Sequence, residues 1–158
     1  MVGPVSIRLA VASERDALEA LQWRASLMNE ADREALLAHP DAIELPIVQI
    51  EAGRVFVAER DGALLGFSVV LPRDNGAAEL DGLFVEPSAW RHGIGRKLVE
   101  AACALAWAGG SSALYVIGSP HSAGFYYRCG FELLGETATR FGIGLVMRKS
   151  LAGLPRHQ

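Results

Sequence analysis

Glu79-Leu80-Asp81-Gly82-Leu83-Phe84-Val85-Glu86-Pro87-Ser88-Ala89-Trp90-Arg91-His92-Gly93-Ile94-Gly95-Arg96-Lys97-Leu98 changes character half-way along. Its first part alternates, with Leu80, Gly82 and Phe84 on one side and Glu79, Asp81, Leu83 and Val85 on the other. That is the period of a strand. Pro87 ends the strand. Trp90 to Gly95 then form a short loop with two glycines one residue apart, and Ile94 to Trp107 read as a helix. The first turn of a helix leaves backbone N–H groups unpaired, and its aligned peptide dipoles favour negative charge. Gly93 and Gly95 let the backbone approach a phosphate without an intervening Cβ. Strand, glycine loop and helix start together predict an anion site.

A dinucleotide fingerprint needs a third glycine where this chain has Leu98, and the Lys-Ser/Thr of a P-loop is absent. What remains resembles the acyl-CoA signature of the GNAT N-acetyltransferase superfamily, Gln/Arg-x-x-Gly-x-Gly/Ala after a strand ending in Val-x-Pro. Val85, Pro87, Gly93 and Gly95 fall at that spacing; Trp90 departs from the Gln or Arg. A second stretch, Ser119-Pro-His-Ser-Ala-Gly-Phe-Tyr-Tyr-Arg-Cys-Gly-Phe131, looks like the family's other landmark, roughly Asn-x-x-Ala-x-x-Phe-Tyr-x-x-x-Gly-Phe. Phe125, Tyr126, Gly130 and Phe131 match, while Ser119 replaces Asn and Ser122 replaces Ala. A serine hydroxyl reaches less far than an amide.

The rest of the chain agrees with that order. Val5 to Ala10 reads as a strand, and Ser13 with Asp16 as a capping box. The helix that follows carries Leu18, Leu21, Ala25 and Met28 on one face. Ala31 to Ala38 predicts a second helix; His39 to Ala52 reads as loop, turn or a little helix. Strands follow at Val55–Glu59, Leu64–Leu71 and Ala78–Val85, turned by Asp61-Gly62 and Asn75-Gly76. After the long helix, Ala113–Ile117 is a strand, joined by a helical crossover and so parallel to the one before the loop. Ser122–Arg128 is a short helix, and Glu132–Thr137 and Leu145–Arg148 are closing strands. The expected class is α/β with a mixed sheet: about seven mostly antiparallel strands, a parallel central pair and about four flanking helices, as a single domain over 1–158.

Composition bounds the function. Of 158 residues, 51% are hydrophobic and 21% charged, and the net charge is −3. This balance carries no basic footprint for nucleic acid. No apolar run is long enough to span a bilayer, and no signal-peptide pattern opens the chain. Cys103 and Cys129 form no Cys-x-x-Cys pair and suit buried thiols in a reducing cytoplasm. No metal-ligand spacing and no Ser/His/Asp set is legible.

Acetyl transfer to an amine needs a neutral amine, donors for an oxyanion, and a proton for the departing thiolate. A free alkylamine has a pKa near 10.4, so only about one molecule in 10³ is neutral at pH 7. The resemblance implies acetyl-CoA as co-substrate and no metal, with Tyr126 as proton donor to the CoA sulfur. It implies that backbone near Phe84 and Val85 binds the thioester and pantetheine arm. Arg91, His92, Gly93, Ile94, Gly95 and Arg96 would hold the pyrophosphate, with Ser119 also on the cofactor. Arg96 or Lys97 would meet a phosphate or be ordinary exposed cations. Glu79 is the expected base and Asp81 lies on the same face; the alternative is that both are solvated strand residues. His92 and His121 flank the expected cofactor. Trp23, Arg24, Asn29, Asp81 and Phe141 are expected around the acceptor, a small-molecule or peptide amine, near a closing loop from Arg140 to Gly144. A homodimer is implied by resemblance only. A non-catalytic acyl-CoA-binding sensor or partner module fits the same motifs, and a dinucleotide oxidoreductase fits them poorly.

Overall fold

The computed structural model describes residues 3–154. Its elements are β1 (Ser6–Leu9), α1 (Arg15–Leu27), α2 (Glu30–Ala38), α3 (Ile47–Glu51), β2 (Val55–Arg60), β3 (Ala63–Pro72), β4 (Ala78–Val85), α4 (Ile94–Ala108), β5 (Ala113–Gly118), α5 (Ala123–Arg128), β6 (Glu132–Thr139) and β7 (Gly142–Ser150). The seven strands hydrogen-bond in the order β1-β2-β3-β4-β5-β7-β6. β4 and β5 are parallel, with Ala78 opposite Leu114 and Leu80 opposite Val116. The class is the expected mixed α/β sheet, with α3 as a fifth helix in the segment read as loop, turn or little helix. By packing the described residues fall into two compact units: 3–69 with 82–98, and 70–81 with 99–154.

In the first unit, β1 pairs antiparallel with β2, and β2 with β3. Asp61 and Gly62 turn the β2–β3 hairpin with φ of 51° and 82°. Two positive φ values in a two-residue loop match the right-handed twist of the strands, which is why Asp-Gly is a hairpin signal. α1 buries Leu18 and Leu21, whereas Met28 is exposed beyond its end. The Ser13–Asp16 capping box does not form. Glu14 lies in a 3-10 turn over Ala12–Glu14, and its Oε1 accepts the Val11 N–H at 2.9 Å. The same carboxylate also receives Arg8, whose guanidinium bridges it to Glu59 at 2.7 and 2.6 Å. A buried cluster of Ala58, Ala89, Ile94 and Leu98 seats the first turn of α4 beneath Leu83 and Val85.

In the second unit, β5 pairs antiparallel with β7, and β7 with β6. The expected closing loop over Arg140–Gly144 is shorter than read, because β7 already begins at Gly142. Thr139 Oγ1 donates to the Gly142 carbonyl at 2.6 Å, closing a turn of only Arg140 and Phe141. The core here is Ala102, Cys103, Ala106, Leu114, Val116, Tyr126, Phe131 and Met147. No helix among the described residues is long and apolar enough to cross a membrane.

Candidate active site

The first unit holds the glycine loop. Pro87–Ala89 form a 3-10 turn after β4. Arg91 and Gly93 then take left-handed backbone, with φ of 67° and 78°. These two reversals turn the chain into α4, whose fifteen residues start at Ile94. Gly93 contributes its carbonyl to the helix, accepting the Lys97 N–H at 3.2 Å. The N–H groups of Ile94, Gly95 and Arg96 precede the first possible intrahelical acceptor. A Cβ built on Gly93 meets nothing within 4 Å, so the glycine serves its φ and leaves open space above the loop. That is a cradle suited to a diphosphate, with amide donors and the positive end of a helix dipole.

Trp90, the departure from the motif, has a structural part here. Its indole N–H donates to the Val85 carbonyl at 2.8 Å, fastening the loop to the end of β4, while 43% of the residue stays exposed. Phe84 packs on Phe67 with ring centroids 5.3 Å apart. Gly66 allows that approach, since a Cβ there would sit 2.8 Å from the Phe84 carbonyl oxygen. Arg24, expected around the acceptor, grips Glu86 bidentately, with Nε to Oε1 at 2.8 Å and Nη2 to Oε2 at 2.6 Å. The guanidinium holds the Glu86 carboxyl below the usual range. Trp23 is half-buried on α1. Asn29 starts α2, its carbonyl accepting the Asp32 and Arg33 N–H groups and its side-chain amide donating to Asp32. His92 and Arg96 are exposed.

The second unit holds the tyrosine and the carboxylates, on opposite faces of its strands. Tyr126 is 7% exposed. Its ring lies between Phe125 and Phe131, with edge contacts at centroid distances of 5.2 and 5.4 Å. Gly118 admits it: a Cβ there would lie 3.0 Å from the ring. α5 ends at Arg128; Gly130, φ 95°, turns the chain away, and Lys149 caps the helix by donating to the Cys129 carbonyl. Burial, with a smaller contribution from Cys129, pushes the Tyr126 phenol well above its ordinary value. Ser119 does not stand alone. Its hydroxyl lies 2.8 Å from Ser122 Oγ and 3.1 Å from His121 Nε2.

Glu79 and Asp81 differ sharply. Glu79 Oε1 accepts Arg73 Nη2 at 2.7 Å, and that guanidinium lies 4.7 Å over the Tyr115 ring. Asp81 is the first β4 residue past the ladder to β5, which ends at Leu80 and Val116. Its side chain reaches solvent yet is crowded by neighbouring atoms. That desolvation, followed by the charge of Glu79, raises its carboxyl above the usual range. Phe141 lies in the β6–β7 turn with the Arg140 guanidinium 5.3 Å over its ring. Among the described residues no group of three or more His, Cys, Asp and Glu is placed to hold a metal.

The architecture is a seven-stranded mixed α/β sheet with one parallel pair, and a glycine loop leads from β4 into α4. The sequence profile of the Acetyltransferase (GNAT) family matches residues 16–131, and the chain belongs to that family: it is an N-acetyltransferase. No curated protein sequence matches the chain. Among solved structures it is similar to the PaiA N-acetyltransferase of Thermoplasma acidophilum in complex with coenzyme A, with TM-score 0.75 and 19% identity over 93% of this chain and 99% of that one. YncA of Salmonella typhimurium, a putative acetyltransferase with acetyl-CoA, gives TM-score 0.70 and 18% identity over 98% of each chain. The N-acetylglutamate synthase of Neisseria gonorrhoeae, complexed with coenzyme A and N-acetyl-glutamate, gives TM-score 0.70 and 21% identity over 94% of this chain and 35% of that one.

Proposed function

We propose that this chain transfers the acetyl group of acetyl-CoA to a primary amine by direct attack in a ternary complex. The observation that carries the reading is the pair of left-handed residues Arg91 and Gly93 immediately before α4, which sets the first turn of a helix beside the open space at Gly93. Acetyl-CoA supplies a thioester carbonyl open to attack and a thiol leaving group. The amides of Ile94, Gly95 and Arg96 hold its pyrophosphate, and Trp90 fixes the loop that presents them.

The acceptor arrives as an ammonium and must lose a proton. Glu79 was the expected base, but its Oε1 is engaged by Arg73. Asp81 is the better acceptor of that proton, directly or through water, because no described residue pairs with it and its basicity is raised by desolvation and by Glu79. Attack then forms the C–N bond, the nitrogen gives its second proton to solvent, and breaking the C–S bond leaves a thiolate. Tyr126 meets the sulfur with its O–H. A phenol raised this far is a weaker acid than a thiol of pKa about 8.5. Its contribution is therefore a hydrogen bond to developing charge on sulfur, with the proton arriving in full from solvent.

The test joins binding to turnover. Millimolar acetyl-CoA should raise the melting temperature, because it binds the folded state alone, and a broad amine panel should release CoA thiol. A shift without thiol release from any amine would favour the sensor module; no shift at all would remove the CoA reading.

A further inference from the structure

We propose that the acceptor amine carries an anionic group, as an amino acid does, and that Arg148 receives that group. The proposal rests on the transferase reading above and names its substrate class. The argument starts from sheet register. Glu79 lies opposite Tyr115, Tyr115 opposite Arg148, and Arg148 opposite Glu132. Directly opposite residues share a face, so these four form a row on the side of the strands away from Tyr126. Arg73 reaches over the same row, above the Tyr115 ring. Tyr115 thus has the Arg73 guanidinium over its ring and Arg148 opposite it on β7. Arg73 has a carboxylate partner in Glu79; Arg148, half-buried, has none within ion-pair distance among the described residues. Glu132 is its nearest carboxylate by register, on an edge strand and exposed.

Asp81 lies on this face too, two residues beyond Glu79 along β4. Strand spacing and rise put the Asp81 and Arg148 Cα atoms roughly 12 Å apart or more, since β4 leaves the β5 ladder after Leu80. A small molecule carrying both charges would bridge a long arginine and a short aspartate at that separation. Ile117 and Val146, paired on β5 and β7, floor that span. Gly144 keeps that floor low, since a Cβ there would lie 2.6 Å from Ile117 Cγ2. An apolar floor with an unpaired carboxylate at one end and an unpaired guanidinium at the other fits a zwitterion. Ammonium faces Asp81 and carboxylate faces Arg148, whose planar fork matches a carboxylate bidentately.

The experiment compares the twenty amino acids with their amides as acceptors, in wild type, Arg148→Gln, Arg148→Lys and Glu132→Gln. Taking the acid-to-amide ratio of kcat/KM within each enzyme and comparing it between enzymes cancels the different amine pKa values. We expect wild type to prefer at least one acid about tenfold or more, the scale of a charge-assisted pair. Arg148→Gln should bring that ratio towards one through KM with kcat retained, Arg148→Lys should recover part of it, and Glu132→Gln should increase it. Calorimetry with the N-acetyl amino acids and their amides, without acetyl-CoA, reads the same preference independently of turnover. A ratio near one in wild type, or one unmoved by Arg148→Gln, overturns the proposal. Thiol release from no amine overturns the transferase reading instead, and the calorimetric preference then decides the role of Arg148.

Discussion

The loop after β4 and the segment around Tyr126 are built from different material. The loop is backbone: left-handed Arg91 and Gly93, the amides of a helix start, and a space at Gly93 that no described residue fills. The Tyr126 segment is side chain: three interlocked rings, a glycine at 118 that makes room, and a lysine cap on the helix behind them. The first is suited to holding an anion of fixed shape, the second to keeping one hydroxyl in one place. Affinity and chemistry should therefore be separable by mutation.

Tyr126→Phe is the sharpest way to separate them. The ring packing survives and the hydroxyl is lost, so kcat should fall by about 10²-fold or more while CoA affinity stays within about twofold. Comparable losses in both, from calorimetry and thiol release, would erase the distinction. Gly93→Val works from the other side. A β-branched residue at φ 78° costs on the order of 1–3 kcal/mol of strain and re-aims the loop. CoA affinity should drop by about 10- to 100-fold while the amine profile keeps its order.

Trp90 tests whether the loop needs its fastening. Trp90→Phe removes the N–H to the Val85 carbonyl and should weaken CoA binding by about five- to tenfold, the worth of about 1 kcal/mol. Trp90→Gln, which restores a donor, should recover much of it; equal losses in both variants would show that the indole ring matters and its N–H does not.

The smallest effect concerns pH. Asp81 accepts a proton only when ionised, and its carboxyl is raised, so the acidic limb of kcat/KM should lie above the ordinary aspartate value of about 3.9. Glu79→Gln removes a negative neighbour and should move that limb down by a fraction of a pH unit. A limb that rises, or is unaltered, would take Asp81 out of the proton path. The raised Tyr126 phenol stays protonated past its ordinary value, so it should contribute no alkaline limb below about pH 10.

The same contrast explains what could be read before any coordinates. The element order, the parallel β4–β5 pair and the two motif stretches were legible because each is written contiguously. Gly93, Tyr126 and Gly130 announce their own turns and packing. The pairings were not legible, because they depend on register and distance. Arg24 meets Glu86 sixty-two positions away, and Arg73 takes up Glu79 across the Asn75-Gly76 turn. Arg148 comes level with Glu79 only through two successive strand pairings. Capping misled for a local reason: Ser13 and Asp16 have the right spacing, but a 3-10 turn moves the helix start and hands the cap to Glu14.

Backbone amide NMR during a CoA titration tests the central claim most directly. If the loop cradles the diphosphate, the amides of Gly93, Ile94, Gly95 and Arg96 should show the largest shifts, and inorganic pyrophosphate should reproduce part of them at higher concentration. Saturating CoA that leaves those four resonances in place while others move would contradict the account.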